Sequence, residues 1–342
     1  MKKTFLSLLF LMMLVVFAGC SSSAGGGDGD TLTIAWLPNE SGADLTEARD
    51  EIGKVIEEKT GKKVEHQTTT DYIVAIEAVA NGNADMAFLG AQGYIEAHNK
   101  NEKVLPLVVP SGASGTLEDA VYYSWLAVNK ADADSYKNGD EFGIDPIQGK
   151  KFSFVSNSST SGFKVPSTGI VEYFNQEGDM KLTAEDLLEG GEGQFFSEVL
   201  YGGSHQGSAV NLLSGKADVA AFCDTCVNNY VELADGELNR PGAVYQVKED
   251  AAEPFNTVVG KEFSLISVTP VLNAPFVINT ENVDEDLQAQ LLEVMTSDDI
   301  TNNEKVFVPE DSEFSGLFKK SADERLVEVD DAWFNPIREL SN

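Results

Sequence analysis

The residues best suited to chemistry crowd into Ser156-Asn157-Ser158-Ser159-Thr160-Ser161-Gly162-Phe163-Lys164-Val165-Pro166. The apolar run before it, Lys151 to Val155, alternates like a strand, and Ser167 to Gln176 reads as a helix. A strand that opens through Ser, Thr and Gly into a helix forms a cradle for an anion. The first amides of a helix have no partner inside it, and the helix dipole favours negative charge at that end. Ser and Thr hydroxyls add further donors. Gly162 would let the backbone come close to an oxyanion. Ser159 or Thr160 also suits the commoner duty of a helix N-cap, but a cap needs only one such residue.

Two other groups invite a chemical reading. Gly202-Gly203-Ser204-His205-Gln206 leads into an apolar helical stretch. His205 can donate to an oxyanion whether neutral or charged, and a bound anion would raise its pKa; alone, it is equally a capping or surface histidine. Cys223-Asp224-Thr225-Cys226 spells a C-x-x-C, which serves redox pairs and half metal sites. There is no second C-x-x-C, and His66 and His98 fall in the other half of the chain, so a structural disulfide or two thiols is expected. The pair is expected behind a ligand cleft rather than in it. Asp224 stands at a strand's carboxyl end, where open α/β sheets bind ligands.

Strands and helices must alternate to hold these turns. Thr31 to Trp36 reads as a first strand and Pro38-Asn39-Glu40-Ser41 as the turn after it. Leu45 to Lys59 is an amphipathic helix closed by Gly61, Val64 begins a strand, and Thr68 to Tyr72 caps a helix from Ile73 to Ala80. This alternation predicts a parallel α/β sheet. Gly82-Asn83-Ala84-Asp85-Met86-Ala87 recurs as Gly215-Lys216-Ala217-Asp218-Val219-Ala220, each after an apolar helical stretch. The echo predicts two similarly built lobes in which Asp85 and Asp218 hold loops. Gln176 to Gly193, rich in Glu, Asp and Gly, reads as an exposed insertion.

Lys2 and Lys3 precede an apolar run from Leu6 to Phe17, too short to span a bilayer, then Ala18-Gly19-Cys20. Residues 1–19 read as a signal peptide, Cys20 as a lipidated N-terminus with an ordinary cleaved signal peptide as the alternative, and residues 20–30 as a flexible tether. About 310 residues follow, too many for one ordinary core and right for two lobes. The net charge is −32 and grows more negative once residues 1–19, with their two lysines and no acid, are removed. That excludes nucleic-acid partners and adsorption to anionic surfaces, so membrane attachment would rest on the lipid. Screening over about 8 Å at physiological salt leaves anion capture to local donors. No G-x-S-x-G, H-E-x-x-H or P-loop occurs, so no enzyme, catalytic residue, cofactor or metal is expected.

Ser159-Thr160-Ser161-Gly162 with Val165-Pro166 resembles the S-T-S-G-x-x-x-P motif of PhnD-type phosphonate, phosphite and phosphate binding proteins of ABC transporters. Gly203-Ser204-His205, Phe88 to Tyr94, Tyr122 to Val128, Pro270 to Phe276 and Val327 to Arg338 resemble further family segments in order. Leu272 departs from the family's usual Pro, and Phe17 from the Leu usual three residues before a lipidated Cys. The resemblance implies a type II periplasmic binding protein fold, two α/β lobes joined by two crossover strands. Lobe 1 would take residues 31–126 plus 268–342, closing on a helix from Val327, and lobe 2 residues 127–267. It implies a small phosphorus oxyanion held by Ser159, Thr160, Ser161 and His205, with Tyr72 and Tyr123 from the first lobe. Asp224 falls near the place where phosphonate binders carry an acid for a ligand amine, although Thr225 contests that alignment. The implied setting is a monomer, lipid-anchored on the outer face of the membrane, working with an ABC permease and its ATPase. The same fold used as a sensor or adhesin is the alternative.

Overall fold

A computed structural model describes residues 29–177, 181–309, 312 and 314–340. The expected signal peptide and Cys20 lie outside the described residues, as does the tether apart from Gly29 and Asp30. The principal strands are β1 (Thr31–Trp36), β2 (Lys63–Thr68), β3 (Met86–Phe88), β4 (Val104–Pro110), β5 (Val121–Asn129), β6 (Lys151–Phe154) and β7 (Glu198–Tyr201). They continue as β8 (Val219–Cys223), β9 (Val231–Asp235), β10 (Val244–Val247), β11 (Glu262–Leu272), β12 (Phe276–Asn279) and β13 (Leu326–Glu328). The principal helices are α1 (Thr46–Thr60), α2 (Tyr72–Ala80), α3 (Ala91–Lys100), α4 (Val165–Glu177), α5 (His205–Leu213) and α6 (Glu285–Met295). None of the helices among the described residues is long and apolar enough to cross a membrane.

The strands form a six-stranded sheet, ordered β13-β4-β12-β3-β1-β2, and a seven-stranded sheet, ordered β9-β10-β11-β5-β8-β6-β7. Each is mixed rather than wholly parallel. β1 runs parallel to β2 and β3, but β12 lies antiparallel between β3 and β4 because the chain re-enters the first sheet late. In the second sheet β8 is parallel to β6 and antiparallel to β5. Apolar layers cover both faces of each sheet. One face of the first sheet packs on α2 and α3, the other on α1 and α6. The second is covered by α5 on one face and α4 on the other.

The long strands β5 and β11 pair with each other and carry the chain between the sheets. At their far ends Ala120 and Val271 are buried in the core of the first sheet. The expected lobe boundaries, at residues 126/127 and 267/268, therefore fall inside this paired ribbon.

The internal echo is one device used twice. The Asp85 carboxylate accepts from Thr33 N–H at 2.7 Å, and Asp85 N–H donates to Thr33 C=O. Asp218 makes the same pair with Lys151, its carboxylate at 2.9 Å. Gly82 and Gly215 end the preceding helices at φ 72° and 77°, the left-handed region that favours glycine.

Two expectations need correction. The segment read as an exposed insertion buries Leu182 and Leu187 against Phe195 and Phe196, so its acidic composition hides apolar anchors. The closing segment from Val327 is not helical from its start. Leu326–Glu328 adds an edge strand beside β4, and a 3-10 turn follows at Asp331–Phe334, capped by Asp330.

Candidate functional site

The hydroxyl turn caps and begins a helix at once. Ser159 is extended, and its Oγ accepts from Gly162 N–H at 3.1 Å. Thr160–Lys164 then forms a single wide π-type turn running into α4. Gly162 is needed for a reason other than the one expected. A Cβ there would lie 2.3 Å from Val155 Cγ2, so the glycine lets the turn fold back on the end of β6. Gly90, at the start of α3, is similarly required, since a Cβ would meet Thr160 Oγ1 at 2.8 Å.

The turn opens on a pocket of about 190 Å³ between the two sheets. Ser159, Thr160, His205 and Tyr72 line it, together with Asn39, Glu40, Tyr122 and Gln206. Leu37, Leu45, Phe88, Phe307, Leu317 and Phe318 give it an apolar side. Of the other expected ligands, Ser161 is buried below the wall. Its carbonyl accepts from Ser124 Oγ at 2.7 Å, and its own Oγ has no partner among the described residues.

Tyr123 and Asp224 do not line the pocket. Strand residues alternate in direction, so Tyr122 faces the pocket while Tyr123 turns to the opposite face. Asp224 accepts from Tyr123 N–H at 2.9 Å and from Asn239 Nδ2 at 3.3 Å. Burial pushes its pKa up to about 6, against those hydrogen bonds. It ties the chain after β8 to β5.

Cys223 and Cys226 form a disulfide, with Cα atoms 5.5 Å apart. Both line the pocket, so the pair is in the cleft wall and not behind it. The disulfide closes the turn after β8, where the Cys226 carbonyl accepts from Gln206 Nε2 of α5 at 3.0 Å.

Four pocket groups share one electrostatic logic. Ser159 Oγ accepts from Gly162 N–H, and Thr160 Oγ1 accepts from Gln92 N–H at 2.9 Å. Tyr72 Oη accepts from Asn39 Nδ2 at 2.6 Å. His205 Nδ1 accepts from Cys223 N–H at 3.0 Å, which places the proton of the neutral ring on Nε2. Burial pushes the His205 pKa down to about 3, so the neutral ring prevails at physiological pH. In each case an N–H fills an acceptor position and leaves an O–H or Nε2–H to donate. Nε2 lies 3.4 Å from Ser159 Oγ, and with this tautomer its N–H donates to that oxygen, a bond that a bound anion would have to take over. Such a set can bind an anion without a cation.

Sequence reasoning missed Asn39, Glu40, Tyr122 and Gln206. Asn39 joins the two halves, because its Oδ1 also accepts from His205 N–H at 3.1 Å and its carbonyl from Gln206 Nε2 at 3.1 Å. The available signal was position. Pro38-Asn39-Glu40 follows the carboxyl end of β1, where ligands of open α/β sheets sit.

Two mixed sheets, a paired crossover ribbon and an interlobe pocket of donors define the type II class of solute-binding proteins. The model of the family described as ABC transporter, phosphonate, periplasmic substrate-binding protein matches residues 34–334, and the chain belongs to that family. It is 31% identical over 226 residues to the phosphate-import protein PhnD of Mycolicibacterium smegmatis, covering 66% of this chain. The match spans 64% of that relative's length. The same fold occurs in a binding protein component of an ABC phosphonate transporter from Pseudomonas aeruginosa, at 18% identity and TM-score 0.63, covering 92% of this chain and 86% of that one. It also occurs in PhnD1 of Prochlorococcus marinus in complex with methylphosphonate, at 16% identity and TM-score 0.63, covering 92% and 98%.

Proposed function

We propose that this protein is the extracytoplasmic solute-binding component of an ABC importer and that it captures a small phosphorus oxyanion: phosphonate, phosphite or phosphate. The observation that carries this reading is the donor set of Ser159, Thr160, Tyr72 and His205, each with an acceptor position filled by an N–H. Hydrogen bonds to a charged group are worth about 1.5–3 kcal/mol each, so a few of them suffice for useful affinity. At about 190 Å³ the pocket lies below the usual range for a drug-sized molecule, which suits a compact tetrahedral ion. Its apolar side would take a hydrogen or short alkyl group on phosphorus.

In this reading, residues 31–126 with 268–342 form one lobe and residues 127–267 the other, closing about the β5–β11 ribbon. Cys20 carries the lipid that holds the protein, as a monomer, near its permease and ATPase. Fractionating cells that express wild type and Cys20→Ala tests the anchor, since only the wild type should stay with the membrane. A thermal-shift series of phosphate, phosphite, methylphosphonate and sulfate tests the ligand class. A ligand at 100 times its Kd should add about 2.7 kcal/mol of stability. No shift with any phosphorus oxyanion would overturn the assignment.

A further inference from the structure

Glu40 sits awkwardly in a pocket of donors. It ends the 3-10 turn Pro38–Glu40 after β1 and lines the pocket. Its Oε2 is sealed from solvent and has no hydrogen-bond partner among the described residues. Arg49 is near enough to act on it, yet the guanidinium spends its donors on the carbonyls of Glu40 and Gly42 and on Thr46 Oγ1. An ionised carboxylate here would repel an anion, whereas a carboxylic acid would add a donor to the set.

We propose that Glu40 binds the oxyanion as a neutral carboxylic acid, so that the site takes up one proton together with a dianion in alkaline solution. This rests on the oxyanion reading above. The groups facing Glu40 are Arg49 from α1, Tyr72 from α2, Tyr122 from β5, and Tyr230 beyond β8 with Asp44, to which it donates at 2.7 Å. His205 from α5, Lys319 and Glu324 also line the pocket. Burial holds the three phenols above their ordinary range and His205 near 3, so none of these changes charge between pH 7 and 9.5. Burial pushes Glu40 up to about 8, against the opposing pull of backbone hydrogen bonding and Arg49. Above that pH the balance is carboxylate plus dianion plus one proton from the buffer, giving carboxylic acid hydrogen-bonded to dianion. No bond to phosphorus changes.

The test is calorimetric titration of inorganic phosphate and methylphosphonate into wild type, Glu40→Gln and Glu40→Ala. It runs from pH 7 to 9.5 in buffers of different ionisation heat. At pH 9, above the ligand's own second ionisation, wild type should take up close to one proton per ligand and lose about tenfold in affinity per pH unit. Glu40→Gln keeps an N–H donor. At pH 9 it should take up none and, above the ligand's second ionisation, stay flat with pH, and at pH 7 it should bind more tightly than Glu40→Ala. Glu40→Ala should lose at least about tenfold at pH 7. Wild-type binding without proton uptake at pH 9, or an equal pH slope in Glu40→Gln, overturns the role of Glu40 alone. Failure of wild type to bind either oxyanion at pH 7 overturns the ligand reading and this inference with it.

Discussion

Thr160→Val keeps the branched shape and removes a hydroxyl whose acceptor side is already occupied by Gln92 N–H. Binding of the best phosphorus oxyanion should fall about tenfold to a hundredfold by calorimetry with the fold unchanged, the worth of one charge-assisted hydrogen bond. His205→Ala should do the same. His205→Gln, which returns an N–H near the Nε2 position, should recover part of the loss. Wild-type affinity in both Thr160→Val and His205→Ala would sink the donor-set argument. Glu40 adds a stability prediction with a definite sign. The folded protein holds its proton to about pH 8, the unfolded chain gives it up near 4.5, and the contribution is present below 4.5 and lost as pH rises toward 8. Without ligand, Glu40→Gln should therefore gain Tm over wild type progressively from pH 4.5 to 8 and then level off. A constant difference across that range would contradict it. As pocket residues, Ser159, Thr160 and His205 were legible in the sequence because their types and local turns announce donors, and Tyr72 through the family resemblance. Glu40 was not, because an acidic residue in a chain of net charge −32 reads as solvated surface until burial is known.

Elements were legible where one periodicity governs them. α1 ends at Gly61, as its glycine signals, with φ 70°, and β1 and β6 lie within one residue of the alternating runs. Legibility failed where face mattered more than existence. A one-residue difference along β5 decides whether Tyr122 or Tyr123 reaches the pocket, and both are tyrosine. It also failed for the disulfide, whose place beside α5 depends on how the chain turns after β8. That place removes the reason to expect the cysteines to be silent. The Cys223→Ser/Cys226→Ser variant keeps the 223 N–H that orients His205 but frees the turn carrying it. Chain-entropy bookkeeping for so short a loop gives a loss of about 2 kcal/mol in stability by denaturant titration. Oxyanion affinity should drop by more than about threefold. Unchanged affinity with reduced stability would show that the disulfide serves the fold alone.

At the scale of the molecule, the contacts that assemble the pocket join distant parts of the chain. Asn39 meets His205, Gln92 meets Thr160, Asp44 meets Tyr230, and Glu96 accepts from Ser158 Oγ at 2.7 Å. No local pattern encodes such pairs, although the two-lobe plan that makes them possible was readable from the repeated Gly–Asp–strand unit. The same scale bears on how so acidic a protein would hold the anion proposed for it. With 56 acidic and 24 basic residues its far field repels the ligand, while the donors identified in the pocket are neutral groups. Far-field repulsion is screened over about 10 Å at 0.1 M salt, whereas hydrogen bonds inside the pocket are not. Raising ionic strength from about 0.05 to 0.5 M should therefore speed association in stopped-flow measurements and leave affinity within about threefold. A site built on surface lysines would respond the other way, since screening would weaken its attraction for the anion. A salt-induced loss of affinity beyond about tenfold would show that cations rather than these neutral donors hold the ligand.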